Sequence, residues 1–176
     1  MKLIKRYRFF IVTLFIIAIL FFINKKIGLK AIDITAYSFK EMALVIPPVF
    51  VLLGLLDIWV PRQTMIKFMG EESGIIGILL SIFIGSAAAG PLYGAFPIAA
   101  VFMKKGVKFS NVLIFIGAWS TTKIPMFLFE LSSLGTKFAI TRLLIDIPGI
   151  IIIAYTLSYI TPRKEVERVY QRAESL

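Results

Sequence analysis

The chain has 176 residues, 59% of them hydrophobic and 17% charged, with a mean hydropathy of +0.89, no histidine and no cysteine. Soluble proteins carry about 25% charged residues, so this composition describes an integral membrane protein, with one domain and no room for an appended soluble enzyme; it also lacks thiolate and imidazole metal ligands and the easiest proton relay. The net charge of +10 would suit nucleic acid, but the Lys and Arg residues flank apolar runs, as membrane topology and lipid headgroups require, so the lipid bilayer is the expected partner and nucleic acid is not.

Taken in order, Lys2, Lys5, Arg6 and Arg8 precede the apolar run Phe9–Ile23. The pattern resembles a secretory signal, but Asn24-Lys25-Lys26 stands where a small-residue cleavage site belongs, and the run reads as an uncleaved first helix. A mixed segment, Ile32 to Glu41, opens a second helix that enters the membrane near Met42 and runs to about Val60, bent by Pro47-Pro48, with Asp57 near its end. Pro61-Arg62 closes that helix, and Arg62–Ser73 reads as a polar connection. An apolar run from Gly74 to Met103 leads to the basic turn Lys104-Lys105-Gly106-Val107-Lys108, then to a helix from about Asn111 to Leu134. Gly135 marks a turn, and a last helix, kinked at Pro148-Gly149, spans Phe138–Ile160. The division expected is one membrane domain, 1–160, and a basic, helix-prone cytoplasmic tail, 161–176.

The run Gly74–Met103 is longer than one crossing needs. Its middle, Gly85-Ser86-Ala87-Ala88-Ala89-Gly90-Pro91-Leu92-Tyr93-Gly94-Ala95-Phe96-Pro97, cannot form one clean helix. Pro91 lacks a backbone donor and clashes with the preceding turn, and Pro97 repeats the injury. Freed backbone groups at membrane depth are tolerated only where protein covers them or water reaches them. A broken segment therefore offers half-helix ends and bare backbone to a solute; a kinked helix packed through its small residues is the other reading. Charge placement separates a hairpin from a crossing. If the run enters and leaves on one side, 13 Lys and Arg residues lie inside and 5 outside, whereas a full crossing reverses the bias, against the positive-inside rule. The expected fold is all-α: a polytopic integral membrane protein with about four full spans plus a broken, re-entrant helical hairpin of half-helices at most about 20 Å long. Its place is the inner (cytoplasmic) cell membrane, multi-pass, with the N-terminus and tail cytoplasmic.

Asp57, Lys123, Glu130, Arg142 and Asp146 fall within or near spans. Asp57 reads as interfacial and structural. Lys123 lies about 16–18 Å from either end of its helix, too deep to snorkel freely, and such residues face a partner or a cavity. Because the last two helices turn at Gly135, residues whose numbers sum to roughly 270 share a depth if both helices are regular. That register pairs Lys123 with Asp146 and Glu130 with Arg142, while Arg142 and Asp146 are also i,i+4 neighbours. Structural pinning of one helix to the other is the simpler role for Glu130–Arg142. Around Lys123 the sequence is richer: Trp119-Ser120-Thr121-Thr122 precedes it, and Pro125 leaves the Thr121 carbonyl without its usual donor. Hydroxyls, a free carbonyl and an ammonium converge, which suits a polar or anionic solute. The candidate solute site is Gly90, Pro91, Tyr93 and Pro97 with Trp119, Ser120, Thr121, Thr122 and Lys123. With no metal-ligand cluster, no nucleotide-binding motif and no carboxylate pair at a working spacing, neither catalytic residues nor a cofactor is expected.

These residues resemble a known family. Gly90-Pro91-Leu92-Tyr93-Gly94-Ala95-Phe96-Pro97-Ile98-Ala99-Ala100, then Lys105-Gly106, Ala118-Trp119-Ser120, Pro125, Glu130, Leu134-Gly135, Phe138-Ala139 and Arg142, are similar to the second half of the ArsP-type predicted permeases. Phe39 to Gly70, with Pro47 and Gly54, resembles the helix that precedes that motif, so the resemblance covers about 35–160. Members usually have about twice this length in two related halves. The resemblance thus implies a half-size permease that pairs with itself or with a second half-size chain, and a non-transporting membrane subunit or scaffold is the alternative. Some members export trivalent arsenicals, and their first half often carries cysteine-serine-cysteine between two prolines. Here Pro91 and Pro97 enclose Leu92-Tyr93-Gly94-Ala95-Phe96 with no thiol. Soft metalloids prefer thiolates, so arsenical binding by cysteine would need a partner chain.

Overall fold

The computed structural model describes residues 2–88 and 90–174, and among these it is helical without a strand. Chain contacts divide it into two compact units, Met1–Pro48 and Val49–Leu176. In the first, α1 (Lys2–Ile23) stops at Asn24, and α2 (Lys25–Trp59) begins at once. The Asn24 Oδ1 accepts from the backbone N–H groups of Lys26 at 3.1 Å and Ile27 at 3.3 Å, satisfying donors that a helix start leaves free. Gly28 lets the chain fold back, since a Cβ there would stand 2.5 Å from the Phe21 Cα. Pro47 and Pro48 lie inside α2, and the side chain of Asp57 lies outside the described residues.

In the second unit, Arg62–Ser73 is not a plain connection. Arg62–Met69 forms α3, because Met65 and Met69, one turn apart, bury a narrow apolar face while Arg62 and Lys67 point to solvent. After Gly70 the chain bends by 109° into α4 (Gly74–Ala87), with Gly74 at φ +52°. A 3-10 turn, Leu92–Gly94, and α5 (Ala95–Lys104) follow. Pro97 falls in the first turn of α5, where no intrahelical donor is required, so it does not damage a helix as the sequence suggested. The helix expected from Asn111 to Leu134 is two helices, α6 (Phe109–Thr121) and α7 (Ile124–Ser133), and α8 (Thr136–Ile160) turns back after Gly135 at φ +87°. Among the described residues two stretches are long and apolar enough to cross a membrane, Phe109–Ser133 and Thr136–Ile160, and the bent α3–α4 pair is a third candidate.

Close backbone approach organises this unit. Gly77, Ser81 and Gly85 lie one turn apart on the buried stripe of α4 that faces α6. A Cβ at Gly85 would stand 2.6 Å from the Phe115 carbonyl and 2.8 Å from the Ala118 Cβ, so the crossing depends on small residues, the way helices associate where apolar lipid gives no hydrophobic drive. Phe102 of α5 and Phe115 and Trp119 of α6 meet in a row of tilted and edge-on rings, with centroids 4.9 and 5.6 Å apart, in a core that Leu80 and Ile84 of α4 also join. The two ends of segment 70–108 are fastened together. The Lys108 N–H donates to the Met69 carbonyl at 2.9 Å, the Asn111 Nδ2 donates to that carbonyl at 2.9 Å and to the Ser73 Oγ at 3.1 Å, and Lys108 meets Glu71 at 3.3 Å. The tail is helical, as its composition suggested: α9 (Arg163–Glu174) packs on α5, buries Ala173, and donates the Tyr170 hydroxyl to the Val107 carbonyl at 2.5 Å.

Candidate solute site at two helix breaks

Two breaks meet. The first follows α4, where Ala88 turns extended (φ −70°, ψ 142°), Gly90 takes φ +115° and Pro91 is again extended (φ −70°, ψ 158°). Pro91 cannot continue a helix and restricts the residue before it, and only glycine takes that φ cheaply. The second break ends α6: Thr122 leaves helical geometry (φ −109°, ψ 21°), Lys123 is extended (φ −56°, ψ 134°), and Pro125 sits in the first turn of α7, where its missing donor costs nothing.

Each break frees backbone carbonyls, and side chains from the other elements supply the donors. Lys123 Nζ donates to the Gly90 carbonyl at 2.8 Å, and Trp119 Nε1 donates to the Pro91 carbonyl at 3.2 Å. Arg142 Nη2, from α8, donates to the Thr121 carbonyl, the group that Pro125 deprives of a helical partner. Ser86 and Thr122 join hydroxyls at 2.7 Å across the two breaks. Since the Thr122 hydroxyl donates to the Ala118 carbonyl at 3.1 Å, Ser86 is the donor between them.

Beside the breaks, Arg142 also binds both carboxylates: Nη1 contacts Glu130 Oε1, and Nε lies 3.1 Å from Asp146 Oδ2. Glu130 is 6% exposed. This corrects the register argument. Glu130 and Arg142 lie on α7 and α8, on one side of the break, and meet; Lys123 lies at the break, where the extended backbone redirects it to the Gly90 carbonyl and leaves Asp146 to Arg142. Thr121, Thr122, Phe127, Arg142, Glu130 and Asp146 line a small crevice, and a wider apolar groove opens next to it past Leu79, Phe83 and Ile124.

Of the residues singled out from sequence, Gly90, Pro91, Trp119, Thr121, Thr122 and Lys123 therefore converge, with Glu130, Arg142 and Asp146 alongside. Tyr93 and Ser120 are exposed and Pro97 is half-buried, and none of the three joins this network. Ser86 was missed: it is one serine in an apolar helix, and only its place at the end of the α4–α6 crossing brings it to Thr122. Asn111 was missed too, although an amide in the first turn of an apolar helix is itself a signal of a polar partner.

The sequence profile of the ArsP-type family, described as a predicted permease, matches residues 28–175. The chain belongs to the ArsP-type predicted permease family. It is thus a membrane protein of a permease class, and the matched region holds both breaks, the Arg142 cluster and α9. Comparison with curated proteins and with solved structures finds no significant match.

Proposed function

We infer that this predicted permease is a half-size, dimeric transporter that moves a small polar or anionic solute through the joined breaks. The observation that carries the reading is the contact of Lys123 with the Gly90 carbonyl. That bond uses one of three ammonium N–H groups and no carboxylate among the described residues lies within ion-pair reach of it, so a positive charge and two donors face the site. Half-helix ends and freed carbonyls around a charge are the means by which transporters hold ions and solutes near the bilayer midplane.

In this reading the segment 74–103 is a re-entrant hairpin. The bonds from Lys108 and Asn111 to Met69 favour it, because they hold together, at one end of α6, the residues that flank the segment on either side. The positive-inside bias then puts that end, the N-terminus and α9 in the cytoplasm of a cell whose inner membrane holds about four spans. A homodimer, or a heterodimer with another half-size chain, supplies the second half of the site.

The test is uptake into proteoliposomes of a panel of small anions, including phosphate, carboxylates and arsenicals, alongside the mass of the purified complex. Lys123→Ala is expected to lower uptake by about 10-fold or more, the loss of roughly 1.4 kcal/mol in solute binding. Wild-type protein that moves nothing in the panel but co-purifies tightly with another membrane chain would instead identify a non-transporting subunit.

A further inference from the structure

The two stretches long and apolar enough to cross a membrane, Phe109–Ser133 and Thr136–Ile160, share one end, because the chain reverses at Gly135. At that end α8 carries Tyr155 and Tyr159, 43% and 91% exposed, and tyrosine is a residue that settles at headgroup level where a span leaves the bilayer. A groove of about 480 Å³ lies there, between the start of α6, the last turn of α8 and the first turns of α9. Phe109 and Val166 give it an apolar wall, and the rest of its lining is polar. Two of its four charged residues answer each other, Lys108 meeting Glu71 at 3.3 Å. The other two, Arg163 and Glu167, have no ion-pair partner among the described residues. They stand one turn apart on α9, about 6 Å along its axis, with the cation ahead of the carboxylate, the weaker order for an i,i+4 pair. Ser158 adds a hydroxyl that makes no hydrogen bond among the described residues, whereas the Thr161 hydroxyl already donates to the Leu157 carbonyl at 2.7 Å.

We propose that this groove binds one phospholipid headgroup that carries both a phosphate and a primary ammonium, the ethanolamine type. The Arg163 guanidinium and the Ser158 hydroxyl donate to phosphate oxygens, and Lys108, at the uncapped start of α6, adds positive potential. Glu167 accepts from the ammonium, which a two-carbon linker keeps within a helical turn's length of the phosphate. Phe109 and Val166 cover the glycerol end, from which the acyl chains run along the apolar spans. The free cation and the free carboxylate together select the headgroup. A glycerol headgroup brings a phosphate but no cation and leaves Glu167 unanswered beside an added negative charge. A choline headgroup brings a cation with no N–H to donate. Aqueous phosphate answers Arg163 alone and leaves the apolar wall bare. A lipid held by α6, α8 and α9 at once braces the base of the two spans, and this role stands whether or not the chain transports a solute.

The test uses the whole chain, stripped of lipid in detergent. Ethanolamine, glycerol and choline phospholipids with identical acyl chains, and soluble phosphoethanolamine, are added one at a time and followed by native mass spectrometry and thermal unfolding. The ethanolamine lipid is expected to bind once per chain, about 10-fold tighter than the other two, the effect of one charge-assisted hydrogen bond, and to raise the unfolding midpoint as it binds. Glu167→Gln is expected to remove that preference, and Arg163→Gln to weaken all three lipids about 10-fold. Lys164→Gln, the same loss of charge one residue away and outside the groove lining, is expected to change neither. Equal binding of the three lipids by the native chain, or a preference that survives Glu167→Gln, would overturn the headgroup assignment. Equal weakening by Lys164→Gln and Arg163→Gln would overturn the site in favour of general attraction between a basic tail and phosphate. Phosphoethanolamine bound as tightly as the lipid would make the ligand a soluble phosphate ester instead.

Discussion

Arg142 illustrates why residue type matters more than charge here. Its planar fork reaches a backbone carbonyl and two carboxylates in three directions at once, and an ammonium on a flexible stem cannot reproduce that geometry. Arg142→Lys preserves charge but is expected to cost about 1.5–3 kcal/mol, the range for hydrogen bonds to charged groups, read as a lower unfolding temperature in detergent; an unchanged midpoint would show that charge alone suffices. Gly90 is the second residue-level case. Its φ of +115° is reached only with strain by a side-chain-bearing residue, so Gly90→Ala is expected to destabilise by about 1–3 kcal/mol. For a chain of this size that is a fall of about 2–4 °C per kcal/mol, and no fall would mean that the tip relaxes freely.

At the scale of elements, the α4–α6 crossing and the α5–α9 contact carry different loads. Gly85 meets α6 backbone with no space to spare, whereas Gly54 in α2 has nothing within 4 Å of a built Cβ. Gly85→Ala should therefore destabilise by about 1–3 kcal/mol through overpacking, while Gly54→Ala should be neutral or stabilise by up to about 1 kcal/mol through helix propensity; equal thermal shifts for the two would refute the close-approach account. The α9 contact has a pH signature. Burial, with a smaller contribution from the charge of Glu71, pushes the Tyr170 phenol up to about 12 from 10.0. The folded state thus favours the protonated phenol, so this contribution to docking is complete below about pH 10 and is lost as pH rises through about 12. Ultraviolet titration of the native protein is expected to contain a late-ionising component that disappears in Tyr170→Phe, and loss of a component ionising near pH 10 instead would place Tyr170 in water.

Considered whole, the chain makes its topology directly testable, because it contains no cysteine and any single introduced thiol is the sole target. Glu72→Cys, Lys104→Cys and Glu167→Cys lie before the broken segment, after it and on α9. If the segment returns to the side it entered, an impermeant maleimide labels all three from the same membrane face. Opposite labelling of Glu72→Cys and Lys104→Cys would make the segment a crossing, with the Met69–Lys108 bond then impossible to retain.

Composition and patterning were enough to read the membrane class, the helical fold and the broken segment, because hydropathy and proline chemistry act locally along the chain. The resemblance of Gly90–Ala100, Ala118–Ser120 and Arg142 to the permease motif likewise needed no coordinates, and the family match agrees with it. Partner choice was not legible. Lys123 bonds to Gly90 and not to Asp146 because α6 breaks at Thr122, and an argument that counts residues along ideal helices fails where the backbone leaves the helix. Ser86 on Thr122, and Arg142 on the Thr121 carbonyl, are contacts between segments 36 and 21 residues apart. Such contacts are fixed by how α4 and α8 cross α6, and that is decided by the space left at Gly85 and Gly117 in three dimensions.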